Sequence, residues 1–525
     1  MSQAAASTAS AARTAGGFAA GVSDRLNPIV VKELRQAVKS WFIVGLLLLL
    51  LSVLTLIQVI WVMSSTDLGS TSSDGGRDLF LVFQGTLLAI ALLGLPVYTG
   101  VRLAAERASA TSDLLYVTTI RPWSIVWGKL AAGVVVTLLV FAACAPFMIV
   151  TYLMRGIDPP TILFVLGLDF LLVLSGLVLA IFLGALPVGI GMKVFLGLIG
   201  VAVLLWTFGL TTGAVTSSLV FLGVGADFSD PEFLAGLGAT LLLWGAGLLL
   251  LLLLVVAMIA PAAADRARPL RVFVTGMWVA GGLAAIGASA WYDEAAPIAI
   301  WLIGSFLVLM PALLIASSER DTFGPRQRRV IPEHPSLRLV QGLFSSGAAA
   351  GLLWATLLPI LTVVLTFLLV PIFDGRGHDA DELRYVILGT SVCGLFVLGY
   401  TLLATFLRQL FLKSPAKQLA TGGIAAVLIA AAMLVPPLVA FALDPRGWDR
   451  SEADWLFLNP FGVFFRGGGD SVQGYDLLLL VISSGLVLAG LLLNARWFWK
   501  QWKRYAPLRP EESMALASDG VFVAP

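Results

Sequence analysis

Residues 41–63 read WFIVGLLLLLLSVLTLIQVIWVM, an unbroken apolar run with no ionisable side chain. A helix needs about 20 predominantly apolar residues to cross the hydrocarbon of a bilayer. Strands of membrane barrels alternate polar and apolar residues, and this run does not. Eleven further runs follow, at roughly 79–101, 124–153, 161–186, 194–222, 233–260, 271–291, 297–317, 343–372, 384–407, 418–442 and 475–495. The chain thus reads as an all-α, polytopic bundle of about 12 transmembrane helices. Composition agrees: of 525 residues, 59% are hydrophobic and 12% charged. Soluble domains are nearer half apolar and a quarter charged. So few charges exclude a soluble enzyme, a disordered chain and a nucleic-acid binder.

Orientation follows from lysine and arginine, which concentrate on the cytoplasmic side. With both termini cytoplasmic and twelve crossings, 26 of the 33 basic residues fall inside, and 19 of the 31 acids fall outside. The inner loops around Arg266–Arg271, Glu319–Arg338 and Arg408–Lys417 are basic, and the outer loops at Asp227–Glu232, Asp293–Glu294 and Asp374–Glu382 are acidic. Residues 1–23 are rich in Ala, Ser and Gly and read as a disordered tail. Segment 24–40 is a separate element, 41–260 a six-span half and 261–498 a second one, and 499–525 a cytoplasmic tail. In each half the longest inner loop follows the second span and opens with Glu-Arg, at Glu106-Arg107 and Glu319-Arg320. An internal repeat and coincidence explain that dipeptide equally well.

Four features carry mechanism. Residues 24–40, DRLNPIVVKELRQAVKS, place Asn27 as a helix cap and Pro28 in its first turn. Leu26, Val30, Leu34, Ala37 and Trp41 share one face, and Lys32, Arg35, Gln36 and Lys39 another. That pattern predicts a helix lying in the headgroup layer. Residues 102–129, RLAAERASATSDLLYVTTIRPWSIVWGK, form a long inner loop with an apolar patch at Leu114–Val117. It reads either as a short amphipathic helix suited to docking a cytoplasmic partner or as a solvated loop with a few buried leucines. The outer loop 443–474 mixes acids and arginines with an aromatic run too short to span, Trp455–Phe465. Asp169 is the one formal charge deep in a span. An intramembrane carboxylate is a candidate pathway residue, but a single one in twelve spans reads more readily as a protonated or hydrogen-bonded structural acid.

The 102–129 segment resembles the coupling-helix region of type 2 ABC transporter permeases, the membrane subunits of ABC exporters. The matching positions are Glu106, Arg107, Thr111, Asp113, Leu114, Leu115, Thr118, Ile125, Gly128 and Lys129. Asn27-Pro28 followed by Lys32-Glu33-Leu34-Arg35 resembles the helix that leads into the membrane in that family. The chain departs from the pattern at Ala108, Ala110 and Thr119, where Glu, Gly and Pro are usual. The resemblance implies a permease subunit of a bacterial inner membrane. A separate cytoplasmic ATPase would dock on loop 102–124 and hold the ATP and magnesium, and a second permease copy is a candidate partner.

No Gly-x-x-x-x-Gly-Lys-Ser/Thr phosphate loop occurs in this chain, and Gly189-Ile-Gly191-Met-Lys193 lacks its spacing and hydroxyl. No cofactor and no catalytic function are therefore expected of the chain itself. Cys144, Cys393, His334 and His378 are isolated, so no metal site is expected either. Two other readings stand beside this one. An ion-coupled secondary transporter suits twelve spans and two halves. A membrane-embedded transferase needs a cluster of catalytic acids or histidines that the sequence does not supply.

Overall fold

The computed structural model describes residues 28–64, 74–108, 122–154, 157–222, 228–261, 264–319, 325–373, 380–412, 420–443, 459–460 and 472–507. It is helical, with no strand among the described residues, and twelve of its helices are long and apolar enough to cross a membrane. Hydrocarbon offers no water to the backbone, so each span must bond its own N–H and C=O groups.

The chain divides into two compact units, Met1–Pro261 and Ala262–Pro525. The first holds α1 (Pro28–Val38), α2 (Trp41–Ser64), α3 (Asp74–Ala108), α4 (Pro122–Leu153), α5 (Pro159–Ala185), α6 (Ile190–Thr216) and α7 (Pro231–Ile259). A π-helical turn, Ser217–Leu222, prolongs α6. The second unit holds α8 (Arg268–Tyr292), α9 (Ala296–Ser317), α10 (Pro325–Arg328), α11 (Pro335–Phe344), α12 (Ala348–Phe373), α13 (Ala380–Phe411), α14 (Ala420–Leu443) and α15 (Val472–Arg504).

Local chemistry sets several helix starts. Asp158 accepts from the Thr161 N–H at 3.0 Å with Pro159 at the first helical position, and Asp230 accepts from the Glu232 N–H ahead of Pro231. Between α8 and α9, Asp293 takes the left-handed conformation (φ 55°) and ends α8 in a tight turn.

In the first unit α3 is the central helix. It packs most extensively on α5 and also touches α2, α4 and α6. Leu79, Phe80, Phe83, Leu87, Leu88 and Leu92 are fully buried along it. Gly100 and Gly184 let α3 and α5 approach closely, since a Cβ on Gly184 would lie 3.0 Å from the Gly100 carbonyl oxygen. In the second unit α13 has the central place, against α15, α14 and α9. Asn494 of α15 donates to the Leu402 carbonyl at 2.9 Å and accepts from Gln409 at 2.7 Å, a polar tie between α13 and α15.

Two boundaries differ from the apolar pattern. The run beginning at 343 is two elements: α11 ends at Phe344, and α12 begins at Ala348. Gly347 between them has φ 145°, a conformation that favours glycine. A hydropathy window cannot see such a bend, because Phe344 and Ala348 are both apolar. The last helix also runs unbroken past 498 to Arg504. Its end carries α11: the Arg338 guanidinium lies 5.3 Å from the Trp502 ring centre and donates to the Trp502 carbonyl.

A Cβ on Gly394 of α13 would fall 2.0 Å from the Phe306 ring of α9, and Phe306 is itself buried. Gly394→Ala therefore overpacks this crossing and costs about 1–3 kcal/mol. Gly304→Ala, on an open face of α9, meets nothing within 4 Å. A thermal melt of the detergent-solubilised protein is expected to show a lower midpoint for Gly394→Ala and a near-native one for Gly304→Ala.

Candidate functional site

Four charged residues of the first unit meet where α1 lies against the end of α3 and the start of α4. Arg102 and Glu106 stand one turn apart at the end of α3, Lys129 in the second turn of α4, and Glu33 midway along α1. Lys129 Nζ lies 2.7 Å from Glu33 Oε1 and 2.6 Å from Glu106 Oε2. Arg102 completes the cluster, 3.6 Å from Glu33 and 3.9 Å from Glu106. Its guanidinium also donates to the Tyr98 hydroxyl at 2.9 Å, and the Tyr98 ring stacks on Phe42 of α2 with centroids 5.1 Å apart. Two cations therefore face two carboxylates, so the cluster is neutral. Arg107, beside it, donates to the Ala185 carbonyl at the end of α5.

The cluster sets the side that α1 turns toward the bundle. The helix packs on α4, and the residues turned inward are Ala37 and Glu33 with Ile29 beside them. Trp41, on the apolar face, is 90% exposed. The ion pair with Lys129 selects the face: a buried carboxylate must meet its cation, whereas Trp41 can rest in lipid. Pro28, Lys32 and Arg35 are exposed. Asn27 and the loop residues Thr111, Asp113, Leu114, Leu115 and Thr118 lie outside the described residues, as do residues 1–23 and, in the outer loop 443–474, residues 444–458 and 461–471.

Asp169 is fully buried between α5 and α3. Gln84 Nε2 donates to both of its carboxyl oxygens, at 3.0 and 2.9 Å, and Gln84 is 1% exposed. This pair ties the two most extensively packed helices of the unit. Asp169 lines neither the space beside Tyr98 and Lys129 nor the one between α3, α5 and α6. Gln84 was not singled out from the sequence. Its signal was available, as an amide inside an apolar run.

The second unit has its own ionic joint, also missed in the sequence. Arg271 of α8 is 2% exposed. It donates to Glu319 at 2.7 Å and to the carbonyls of Leu343, Ser345 and Gly347. Glu319 accepts in turn from the Gly347 N–H at 2.7 Å. Burial pushes the Glu319 carboxyl above its usual range, against the opposing pull of Arg271 and that N–H. Gly351 leaves room for the guanidinium, since a Cβ there would lie 2.5 Å from it. The two Glu-Arg acids thus have different partners. Glu106 is held by the following span and Glu319 by the span before its own.

Neither joint offers a nucleophile beside a base. No group of three or more metal-ligating side chains occurs among the described residues. Cys144 is buried, Cys393 half-buried, and both are free. Set against known protein families, curated proteins and solved structures, the chain matches none of them. What the α1–α3–α4 cluster can do is mechanical: it ties α1 to the end of α3 and the start of α4.

Removing one partner of a buried ion pair strands the other and costs about 3–5 kcal/mol. Lys129→Met is expected to lower the thermal midpoint strongly, and adding Glu33→Gln, which leaves Arg102 facing Glu106 in a neutral cluster, to recover most of the loss. At the second polar site, Asp169→Leu leaves the Gln84 amide buried without its acceptor, a loss of about 1–3 kcal/mol. Asp169→Asn, which keeps an acceptor oxygen, is expected to melt closer to the native protein.

Proposed function

We propose that this chain is the membrane-spanning permease subunit of a type 2 ABC exporter. It moves its substrate across the cytoplasmic membrane of a bacterium, driven by ATP hydrolysis in a separate ATPase subunit docked on loop 102–124. The observation that carries the reading is the Lys129–Glu106 pair. Glu106 stands before residues 109–121 and Lys129 after them, and their 2.6 Å contact clamps the two stems of the loop together. Glu33, on the same ammonium, adds α1 to the clamp. A force applied to the loop then moves α1, α3 and α4 as one piece. Three of the residues that carry the family resemblance, Glu33, Glu106 and Lys129, are the ones that meet. The ATP and magnesium belong to the partner, and the bilayer and a second permease copy complete the expected assembly.

The ion-coupled alternative, suited by twelve spans and two halves, has Asp169 as its deep charge, and that carboxyl is sealed between helices and bonded to Gln84. Copurification of the tagged chain with the ATPase encoded beside it tests the proposal. The native chain is expected to retain the ATPase, and Leu114→Asp with Leu115→Asp to lose it while the protein stays monodisperse. An ATPase that never associates, or transport that follows an ion gradient and ignores ATP, overturns the assignment.

A further inference from the structure

The first unit contains an apolar groove of about 470 Å³, open on one side, between α3, α5 and α6. Its α3 wall runs from Pro96 to Ala105, about 14 Å along the axis. That is close to half of the roughly 30 Å hydrocarbon core, the depth of one leaflet. The floor is the close approach of α3 and α5 at Gly100 and Gly184, where small residues leave no side chains to fill the space. The outer wall is α6, whose Val194 and Leu198 are largely exposed. In a membrane such a groove is filled by a hydrocarbon chain.

Its mouth has a distinct chemistry. The groove ends at the N-terminus of α6, where Ile190 and Lys193 line it. The capping residue, Gly189, supplies no side-chain acceptor, and the space beside Gly189 and Gly191 is open. The first N–H groups of a helix have no partners within it and attract anions. Lys193 stands one turn inside and makes no ion pair among the described residues. Free N–H groups, an unpaired ammonium and a leaflet-deep apolar slot together describe an amphiphile with an anionic head. Basic pockets between spans at the membrane surface bind such heads.

We propose that this groove binds one anionic phospholipid from the surrounding leaflet, its phosphate at Lys193 and the α6 N-terminus and one acyl chain along Gly197 and Gly100. The site stands on the groove alone and does not require the transport reading.

Native mass spectrometry of the full chain, released from phosphatidylcholine nanodiscs doped with phosphatidylglycerol, tests this. The native protein is expected to carry phosphatidylglycerol in preference to phosphatidylcholine. Lys193→Gln is expected to lower that preference about five-fold, the effect of one lysine near an anionic surface. A side chain at Gly197 meets nothing within 4 Å, so Gly197→Leu fills the slot without a clash and is expected to lose the bound lipid. Gly238→Leu, on an open face of α7 away from the groove, is expected to keep it. An unchanged preference in Lys193→Gln overturns the proposal. So does equal lipid retention by Gly197→Leu and Gly238→Leu, or a lipid-free dimer that occupies the groove with a second copy. If Gly197→Leu fails to fold, Lys193→Gln decides alone.

Discussion

A backbone amide inside hydrocarbon has no water to bond, and a charge there has no shell of water to hold it. Both facts act on every residue of this chain. The first makes each span a helix. The second keeps formal charge toward the ends of the described spans, where Lys129 and Arg271 meet carboxylate partners. Within the described spans Asp169 is the deep exception, and its carboxyl is met by the Gln84 amide.

The same constraint explains why the helix ends are rigid. Lys129 and Glu33 are both nearly enclosed, so neither tolerates the loss of the other. Arg271 is enclosed further, and it collects a carboxylate and three backbone carbonyls around the bend between α11 and α12. An ionic joint of this kind is weak evidence of stability, because desolvation offsets most of the attraction. Its effect is geometric. It fixes which helix ends meet, and so decides which parts of the chain move together.

Between the joints, packing depends on small residues. Lipid tails are as apolar as leucine, so spans gain little by burying leucine against leucine. Close approach at Gly100 and Gly184, and at Gly394 against Phe306, supplies the dispersion contacts instead. Where the small residues outnumber what the neighbouring helix can fill, a groove remains, as between α3, α5 and α6.

The positions of the apolar runs needed only the length and polarity of each window, so twelve spans were legible before any coordinates. So were the Pro-led helix start at Pro28 and the lone intramembrane acid at Asp169. Much of the candidate site was visible as well: Glu33, Glu106 and Lys129 stood out by their resemblance to a coupling region. Their meeting did not, because they lie 23 to 96 residues apart and periodicity within one helix carries no information about another. The side of α1 that meets the bundle was not legible for the same reason, since an amphipathic pattern ranks residues by polarity and carries no information about Lys129. The amide partner of Asp169, the carbonyl cage of Arg271 and the groove beside Lys193 arise from distant segments. The sequence by itself determined which segments are helices and where the charges sit along them. Only the tertiary structure decided which charges pair and which spaces stay empty, because pairing and packing are contacts between helices and the hydrophobic pattern is a property of each helix alone.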